Sequence, residues 1–411
     1  MSGYLTLPAS PAGEVAAVVG PRLLAGIGGG PGLVEHRAWW PPPRTLDVSQ
    51  LIALLDAVPI AGRGGAGFPF GRKLDTAVQS GRRRSVVVNA AEGEPTSAKD
   101  SVLLEAAPHL VLDGAEAVAA ALGIHELHVV VGHERLAARQ ALHVALGERE
   151  AGHVLVEVHV SRTPFIGGQE SAVLELIDGR ENLPVTSWAP AAVTGLRGRP
   201  TLLSNAETFA QVAALLALGP AAYAELGTAA EPGTTLLTVA GDGPHGVVLE
   251  LPFGVPLGRV LDFCGYDPLS PVLVGGYHGT WLPARQAAPL PVSRRELAAM
   301  GVALGPGVVL PLDPSTCPVA VTAGVTAYLA AMSAGRCGPC RNGLPALADA
   351  VAALVDGAGA AATHRVRELA GLLPGRGACA HPDGTVRLVR SMLLAFPDEV
   401  RAHEHGVCTV V

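Results

Sequence analysis

Lysine and asparagine are almost missing from this chain: among its 29 basic residues only Lys73 and Lys99 are lysines, and asparagine stands only at 89, 182, 205 and 342. A sequence that uses arginine nearly everywhere keeps lysine mainly where a compact, flexible ammonium is needed. Basic charge is scarce as well, with 36 acidic residues giving a net charge of -7 over 411 positions and no long block of either sign. That balance excludes a nucleic-acid binder, which needs a basic face against the phosphates. The six cysteines, at 264, 317, 337, 340, 379 and 408, are too sparse for a disulfide framework. They imply a reduced, cytoplasmic chain whose thiols are core residues or ligands. The N-terminus has no basic segment before an apolar run, so no signal peptide is expected. Mean hydropathy is +0.36, yet the longest uncharged stretch, between Asp313 and Arg336, carries Pro314, Pro318 and Gly324. It reads as a buried strand followed by a core helix, not a membrane span.

What is present is an α/β pattern. Residues 1–45, rich in Gly and Pro, read as an irregular leading segment. Over 46–230, Ala/Leu-rich helical stretches alternate with the branched runs SVVVNA, ELHVVVGH and VLVEVHV, which predicts a parallel or mixed sheet with helices on it. The texture changes at 231–295, where TTLLTVAG, a Gly-Asp-Gly turn at 241 to 243 and GVVLELP form a hairpin signal ahead of a short helix at 257 to 263. A small ubiquitin-like β-grasp unit suits that pattern. Residues 296–411 read as a helical bundle around a cysteine pair, with LPALADAVAALVDG and HRVRELAGLL in helical period.

Four constellations could carry chemistry. Gly62-Arg63-Gly64-Gly65-Ala66-Gly67-Phe68-Pro69 formally contains G-x-G-x-x-G. A dinucleotide fingerprint should follow a strand and open a helix, whereas LIALLDAV before it is helical in period. What remains is a Gly-rich loop whose amides can meet an anion or a flat ring, with Phe68 to stack and Lys73 to supply charge. The second, Asn89-Ala-Ala-Glu92-Gly93-Glu94-Pro95, follows a strand, where α/β sheets bind ligands. The third, Phe165-Ile-Gly167-Gly168-Gln169-Glu170, puts two glycines at a helix start, which suits a phosphate. The fourth is the capped helix start Ser204-Asn205-Ala-Glu207-Thr208.

Together with the later Cys337-Gly-Pro-Cys340-Arg-x-Gly, these motifs, from about residue 45 to the C-terminus, resemble the flavin- and NADH-binding subunit of respiratory complex I (the 51 kDa type of NADH-quinone oxidoreductase) and its relatives in NAD-linked hydrogenases and formate dehydrogenases. The resemblance implies a Rossmann-like flavin domain, a β-grasp domain of the SLBB type and a helical iron-sulfur domain. It implies FMN on Gly62, Arg63, Gly64, Lys73, Asn89, Glu92, Gly168, Asn205 and Thr208, and NADH on Phe68, Glu94, Phe165 and Glu170. It further implies a 4Fe-4S cluster on Cys337, Cys340 and Cys379, and an NAD(P)H oxidoreductase that passes electrons to a ferredoxin-like or iron-sulfur partner, without a membrane span but open to attachment to a membrane complex. No catalytic acid or base is expected, because the flavin accepts the hydride.

The chain also departs from that pattern. Ala91 stands for an aspartate, Gln169 for the first of two glutamates, Ser204 for an asparagine, and Thr76 and Pro190 for aromatics, with Trp188 near enough to substitute. Ala334 replaces one cluster cysteine, leaving three thiolates where a 4Fe-4S centre ordinarily takes four. His381, Cys317 or Cys408 could stand in; alternatively the centre has three irons or is absent. Cys264 and Cys317 read as small core residues. C-G-P-C after a helical stretch is a poor thioredoxin motif, and zinc would need a second ligand pair that the sequence does not display. The alternative to an enzyme is a degenerate subunit serving as scaffold or sensor, or a binding module acting through the β-grasp unit.

Overall fold

Branched apolar runs become strands and the Ala/Leu stretches become helices. The computed structural model describes residues 16–81, 83–149, 154–241 and 246–410. Among them are strands β1 (Ala16–Ala17), β2 (Ser85–Ala90), β3 (Glu126–Gly132), β4 (Leu155–Ser161), β5 (Thr201–Asn205), β6 (Thr234–Val239), β7 (Val247–Pro252), β8 (Val272–Val274), β9 (Thr280–Leu282) and β10 (Val308–Pro311). The first sheet has the order β4-β3-β2-β5, and every pair in it is parallel. β2 and β3 carry the branched runs Val86–Val88 and Val129–Val131 and are buried on both faces, as central strands of a parallel sheet must be, whereas β4 is half exposed at one edge. Helices Pro108–Ala121 and Ala206–Ala224 cover the sheet through Leu112, Ala115, Phe209 and Ala213.

This strand order has a functional consequence. From β2, the chain steps outward to β3 and β4 and then returns to place β5 on the other side of β2. Such a reversal opens a crevice at the carboxyl ends of the two strands where the order turns, which is the usual ligand position in doubly wound sheets. Asn89 of β2 and Asn205 of β5 are register partners at that end.

The second sheet is mixed, with the order β1-β7-β6-β10-β8-β9. The expected hairpin is present as the antiparallel pair β6 and β7; residues 242–245 of its turn lie outside the described residues. Helix Leu257–Phe263 packs Leu257, Val260 and Leu261 onto the sheet, and Cys264 lies at the margin of that core as expected. Three expectations are corrected. The leading segment contributes β1 on the sheet edge and a helix at Leu33–Trp39, while residues 1–15 lie outside the described residues. β10 pairs parallel with β6 and antiparallel with β8, so the boundary expected at 295 falls inside the sheet. Its four apolar residues precede Asp313, so the uncharged stretch after Asp313 contains the helix Pro318–Ala331 and no strand.

Helices Pro318–Ala331, Leu344–Val355, Ala360–Leu372, His381–Ala395 and Pro397–Glu404 follow, sharing a core that includes Val325, Leu347, Val366 and Met392. No helix of the described residues is long and apolar enough to cross a membrane.

Candidate functional site

A cavity of about 740 Å³ opens at the switch point, within the range of small-molecule and cofactor sites. The Gly loop 62–68, the Asn89–Glu94 loop, the Phe165–Glu170 loop and Ser204–Asn205 all line it, so four separated motifs meet in one place. The Gly loop joins helix Val48–Ala57 to helix Phe70–Ser80 and does not follow a strand. Gly67, with φ of 65°, takes a left-handed turn that a side chain would strain. Beneath the loop, the Thr208 hydroxyl accepts the Arg63 backbone N–H at 3.0 Å.

The Arg63 side chain points away from the cavity. Its guanidinium is buried, lies 3.5 Å from Glu207, donates to Thr234 O at 2.9 Å and sits 4.6 Å from the centre of the Phe253 ring. Only its backbone can serve a ligand, and Thr208 acts by holding that backbone. Arg63 Nε and Nη1, and Arg294 Nε and Nη2, find no acceptor. Two incompletely paired guanidiniums beneath a glycine-rich loop favour an anion above it.

Lysine is used where its shape matters. Lys73 Nζ donates to Glu170 Oε2 at 3.0 Å and to Leu203 O at 2.9 Å, on the cavity wall. Lys99 is buried, with Nζ at 2.7 Å from Asp100 Oδ1, 2.8 Å from Asn205 Oδ1 and 3.2 Å from Glu207 Oε2. Burial disfavours its charge, but Asp100 and Glu207 outweigh that cost and hold the ammonium protonated. Asn205 Nδ2 then donates to Asn89 O at 3.1 Å and to Asp100 Oδ2 at 2.6 Å, which locks the two switch-point strands together. Asn89 Nδ2 reaches Gly168 O at 2.8 Å, joining the second loop to the third.

Two non-glycine site residues, Glu92 (φ 46°) and Phe165 (φ 51°), are left-handed, a strain that concentrates at functional sites. The Glu92 carboxylate is fully engaged: it accepts from Ser97 Oγ (2.8 Å), Asp100 N (2.9 Å), Ser101 N (3.0 Å) and the Ser101 hydroxyl, which ties down the start of helix Lys99–Ala106. Gly93 allows the second and third loops to touch, since a Cβ there would stand 2.3 Å from Phe165 O. Glu94 is buried, accepts from Thr96 Oγ1 at 2.9 Å and Tyr277 N at 3.0 Å, and is pushed up to about 7 by burial.

The far wall escaped the sequence reading. Gly275, His278, Gly305, Pro306, Ala380 and Arg387 line the cavity from the second sheet and the C-terminal helices. The repeated glycines of GGYHG after β8, both with positive φ, were the available signal. Phe165 meets His278 (4.7 Å), His381 (5.4 Å) and Tyr328 (6.0 Å) edge-on, so the third loop packs into the helical unit. Phe68 stands at the rim, half exposed. Thr76 bonds back to Arg72 O of its own helix, and Trp188 is 95% exposed; neither lines the cavity, and neither does Pro190, so Trp188 does not substitute for the expected rings.

Three thiols gather beside this cavity. Cys337 and Cys340 sulfurs are 3.5 Å apart, and Cys379 interacts electrostatically with both. Burial opposes ionisation of Cys337, yet the backbone amides of Ala378 and Cys340 outweigh it and lower its thiol; Cys340 and Cys379 are pushed up, chiefly by burial. Gln169, a cavity residue, donates its side-chain amide to Cys379. None of the substitute ligands joins them. His381 is committed at both nitrogens, to His278 Nε2 (3.0 Å) and Leu329 O (2.8 Å), while Cys317 and Cys408 belong to a separate group with Glu399 and His403.

Comparison with known proteins agrees with this geometry. Residues 55–214 match the family model described as the Nuo51 FMN-binding domain, and residues 320–403 match that of the NADH-ubiquinone oxidoreductase-F iron-sulfur binding region. The chain is 30% identical over 379 residues to the F subunit of NADH-quinone oxidoreductase in Streptomyces coelicolor, covering 87% of this chain and 83% of that one. It is 29% identical over 377 residues to the Escherichia coli protein of the same name, covering 87% and 85%. Among solved structures, the NAD+-reducing NiFe-hydrogenase in the air-oxidized state aligns with a TM-score of 0.84 and 27% identity, over 95% of this chain and 68% of that chain.

Proposed function

The chain belongs to the family of 51 kDa flavoproteins that form the F subunit of NADH-quinone oxidoreductase, and from that premise we propose that the switch-point cavity holds FMN with NADH against it. It is an oxidoreductase of the NADH, flavin and iron-sulfur type. The observation that carries the site assignment is the meeting of four distant loops in one cavity that shares Gln169 with the thiol group. Bound there, FMN supplies a hydride acceptor that can return electrons singly.

The chain's own residues bind and orient. The Gly loop presents exposed Gly64, with the Gly62 and Arg63 N–H groups held by Phe68 O and Thr208 Oγ1, above two buried guanidiniums and beside Lys73, and fits an anionic phosphate. Asn89, Gly168 and Asn205 fix the cradle's floor, while Glu92 and Thr208 hold its loops in shape. Phe68 and Phe165 offer rings for stacking, and the Glu94 and Glu170 carboxylates fit ribose hydroxyls. Two carboxylates on that side favour NADH over a donor with a 2′-phosphate. Cys337, Cys340 and Cys379 would hold an iron-sulfur centre through three thiolates, one fewer than a 4Fe-4S centre ordinarily takes. An iron-sulfur electron-transfer protein of ferredoxin-like type is the expected partner, on the cytoplasmic side, where six free thiols stay reduced.

The same reading assigns the first sheet and its helices to an FMN/NADH unit, the second sheet to a β-grasp unit of the SLBB type extended through β10, and the last five helices to an iron-sulfur bundle. Purified protein should be yellow and should bleach on anaerobic addition of NADH. A colourless protein that takes up no FMN on reconstitution refutes the reading in favour of a scaffold or sensor.

A further inference from the structure

A second cluster of metal-ligating side chains lies apart from the three thiols. Cys317 stands at the start of helix Pro318–Ala331. Glu399 and His403 are one turn apart on the same face of helix Pro397–Glu404, and Cys408 lies just beyond it. The chain reverses after that helix through Gly406 (φ 73°) and the bond from Val407 N to Ala402 O (3.0 Å), which carries Cys408 back to the helix face. As a result the four donor atoms all lie within 4.8 Å of one another.

Their spacing matches one ion. Zinc bond lengths of about 2.3 Å to sulfur, about 2.05 Å to imidazole nitrogen and about 2.1 Å to carboxylate oxygen give tetrahedral edges of about 3.6 Å for sulfur to nitrogen or oxygen and about 3.4 Å for nitrogen to oxygen. Cys317 Sγ is 3.3 Å from His403 Nε2 and 3.6 Å from Glu399 Oε1, and His403 Nε2 is 3.3 Å from Glu399 Oε1. The space fits a single ion and excludes a multi-iron cluster.

Orientation supports the same conclusion. His403 Nδ1 donates to Val355 O at 3.2 Å, which turns Nε2 toward the Cys317 sulfur and the Glu399 carboxylate, the outer-shell arrangement common around metal-bound histidine. Thr409 donates its N–H to Glu399 Oε1 (3.2 Å) and its hydroxyl to Oε2, which steadies the carboxylate. Cys317, Glu399 and His403 are buried, and Cys408 is half exposed, leaving one approach from solvent.

We propose that Cys317, Glu399, His403 and Cys408 bind one Zn²⁺ ion, which clasps the C-terminal tail to the start of the helical unit. Binding releases the two thiol protons to solvent and leaves the site with two thiolates, a carboxylate and a dication. With four protein ligands and no open position, the ion is structural. It is independent of the flavin and of the Cys337 group.

The test measures zinc, iron and FMN per chain in the full-length protein purified without chelator. Wild type should carry about one zinc, Cys337→Ser should keep it, and Cys408→Ser and His403→Ala should fall to about zero while retaining FMN. Equal zinc in wild type and both ligand variants overturns the proposal. Should the variants fail to fold, Co²⁺ added to chelator-treated wild type decides. Thiolate-to-cobalt charge transfer with the intense visible bands of a tetrahedral ion, displaced by one equivalent of zinc, supports the site; no such spectrum overturns it.

Discussion

Glu94 should impose two opposed pH dependences on this protein. Its carboxyl lies in the cavity wall, where burial disfavours a negative charge more than Tyr277 N and the hydroxyl and backbone N–H of Thr96 stabilise it, and it rises from 4.5 to about 7. At about 1.4 kcal/mol per pH unit, that rise corresponds to about 3 kcal/mol between the protonation states. For an acid raised on folding, the native state holds its proton longer than the unfolded chain does. The stabilising contribution is therefore complete below about 4.5 and is lost as pH climbs through about 7. His278 on the same wall adds the opposite slope: burial holds it neutral in the native state while the unfolded imidazole titrates near 6.5, so its contribution rises with pH up to about 6.5, equally in wild type and Glu94→Gln, and drops out of their difference. Glu94→Gln keeps the shape and removes the titration: its amide oxygen can accept from Tyr277 N while the Thr96 hydroxyl turns to accept from the amide nitrogen. Urea unfolding of the holoprotein at intervals from pH 4.5 to 8 should show wild type losing up to about 3 kcal/mol relative to Glu94→Gln across the series. NADH binding should run the other way, strengthening as Glu94 ionises, because only the carboxylate accepts from two ribose hydroxyls. Parallel stability curves for the two proteins refute the buried-carboxyl argument; a stability difference without a binding difference refutes only the ligand role.

Three further substitutions probe the cradle. Lys99→Met strands Asp100 and Glu207 in the interior and should cost about 3 to 5 kcal/mol in urea unfolding, towards the lower figure because Arg63 stays 3.5 Å from Glu207; a loss under about 1 kcal/mol refutes it. Lys73→Arg cannot set one point charge between Glu170 Oε2 and Leu203 O, so FMN or NADH affinity should weaken about tenfold, or about 1.4 kcal/mol, by fluorescence titration. Unchanged affinity shows that any cation suffices there. Gly93→Ala drives a methyl to 2.3 Å from Phe165 O, backbone against backbone, and should cost about 1 to 3 kcal/mol with loss of FMN retention on gel filtration. Full retention shows that the two loops can separate without harm.

Local pattern carried much of this fold. β2 and β3 were legible because a strand buried on both faces reads as a continuous branched run, and helix Leu257–Phe263 because its turns flank it closely. β5 and β10 were not: TLLSN ends in the polar Ser204 and Asn205 that serve the site, and VVLP is too short to tell from a helix end. A dinucleotide fingerprint at Gly62 is ruled out by the same context that argued against it in the sequence, because the loop joins two helices. The switch-point order that governs the cavity depends on where the chain returns after β4, which no single segment encodes. Distance in sequence also hid His278 and Arg387, and it hid the return of Cys408 to Cys317. For Arg63 the motif names the residue but not the group: its side chain turns to Thr234 O, away from the cavity, which motif matching does not say.

Two of the departures from the family pattern, Ala334 and Gln169, fall where the cavity meets the thiols, and they act in one electrostatic direction. Ala334 removes a thiolate from the Cys337 group, and Gln169 replaces a carboxylate with an amide that donates to Cys379. A glutamate at 169 would set a negative charge against that sulfur and push its thiol higher still; the amide lowers it instead. Both changes make the surroundings of the remaining three thiols less negative, and lower net charge around an iron-sulfur centre raises its reduction potential. Lys99, Asp100, Asn205 and Glu207, at the switch-point strands, keep a closed set of buried partners. These two changes thus act on the thiol side of the cavity, while the buried charges at the switch-point strands keep their partners.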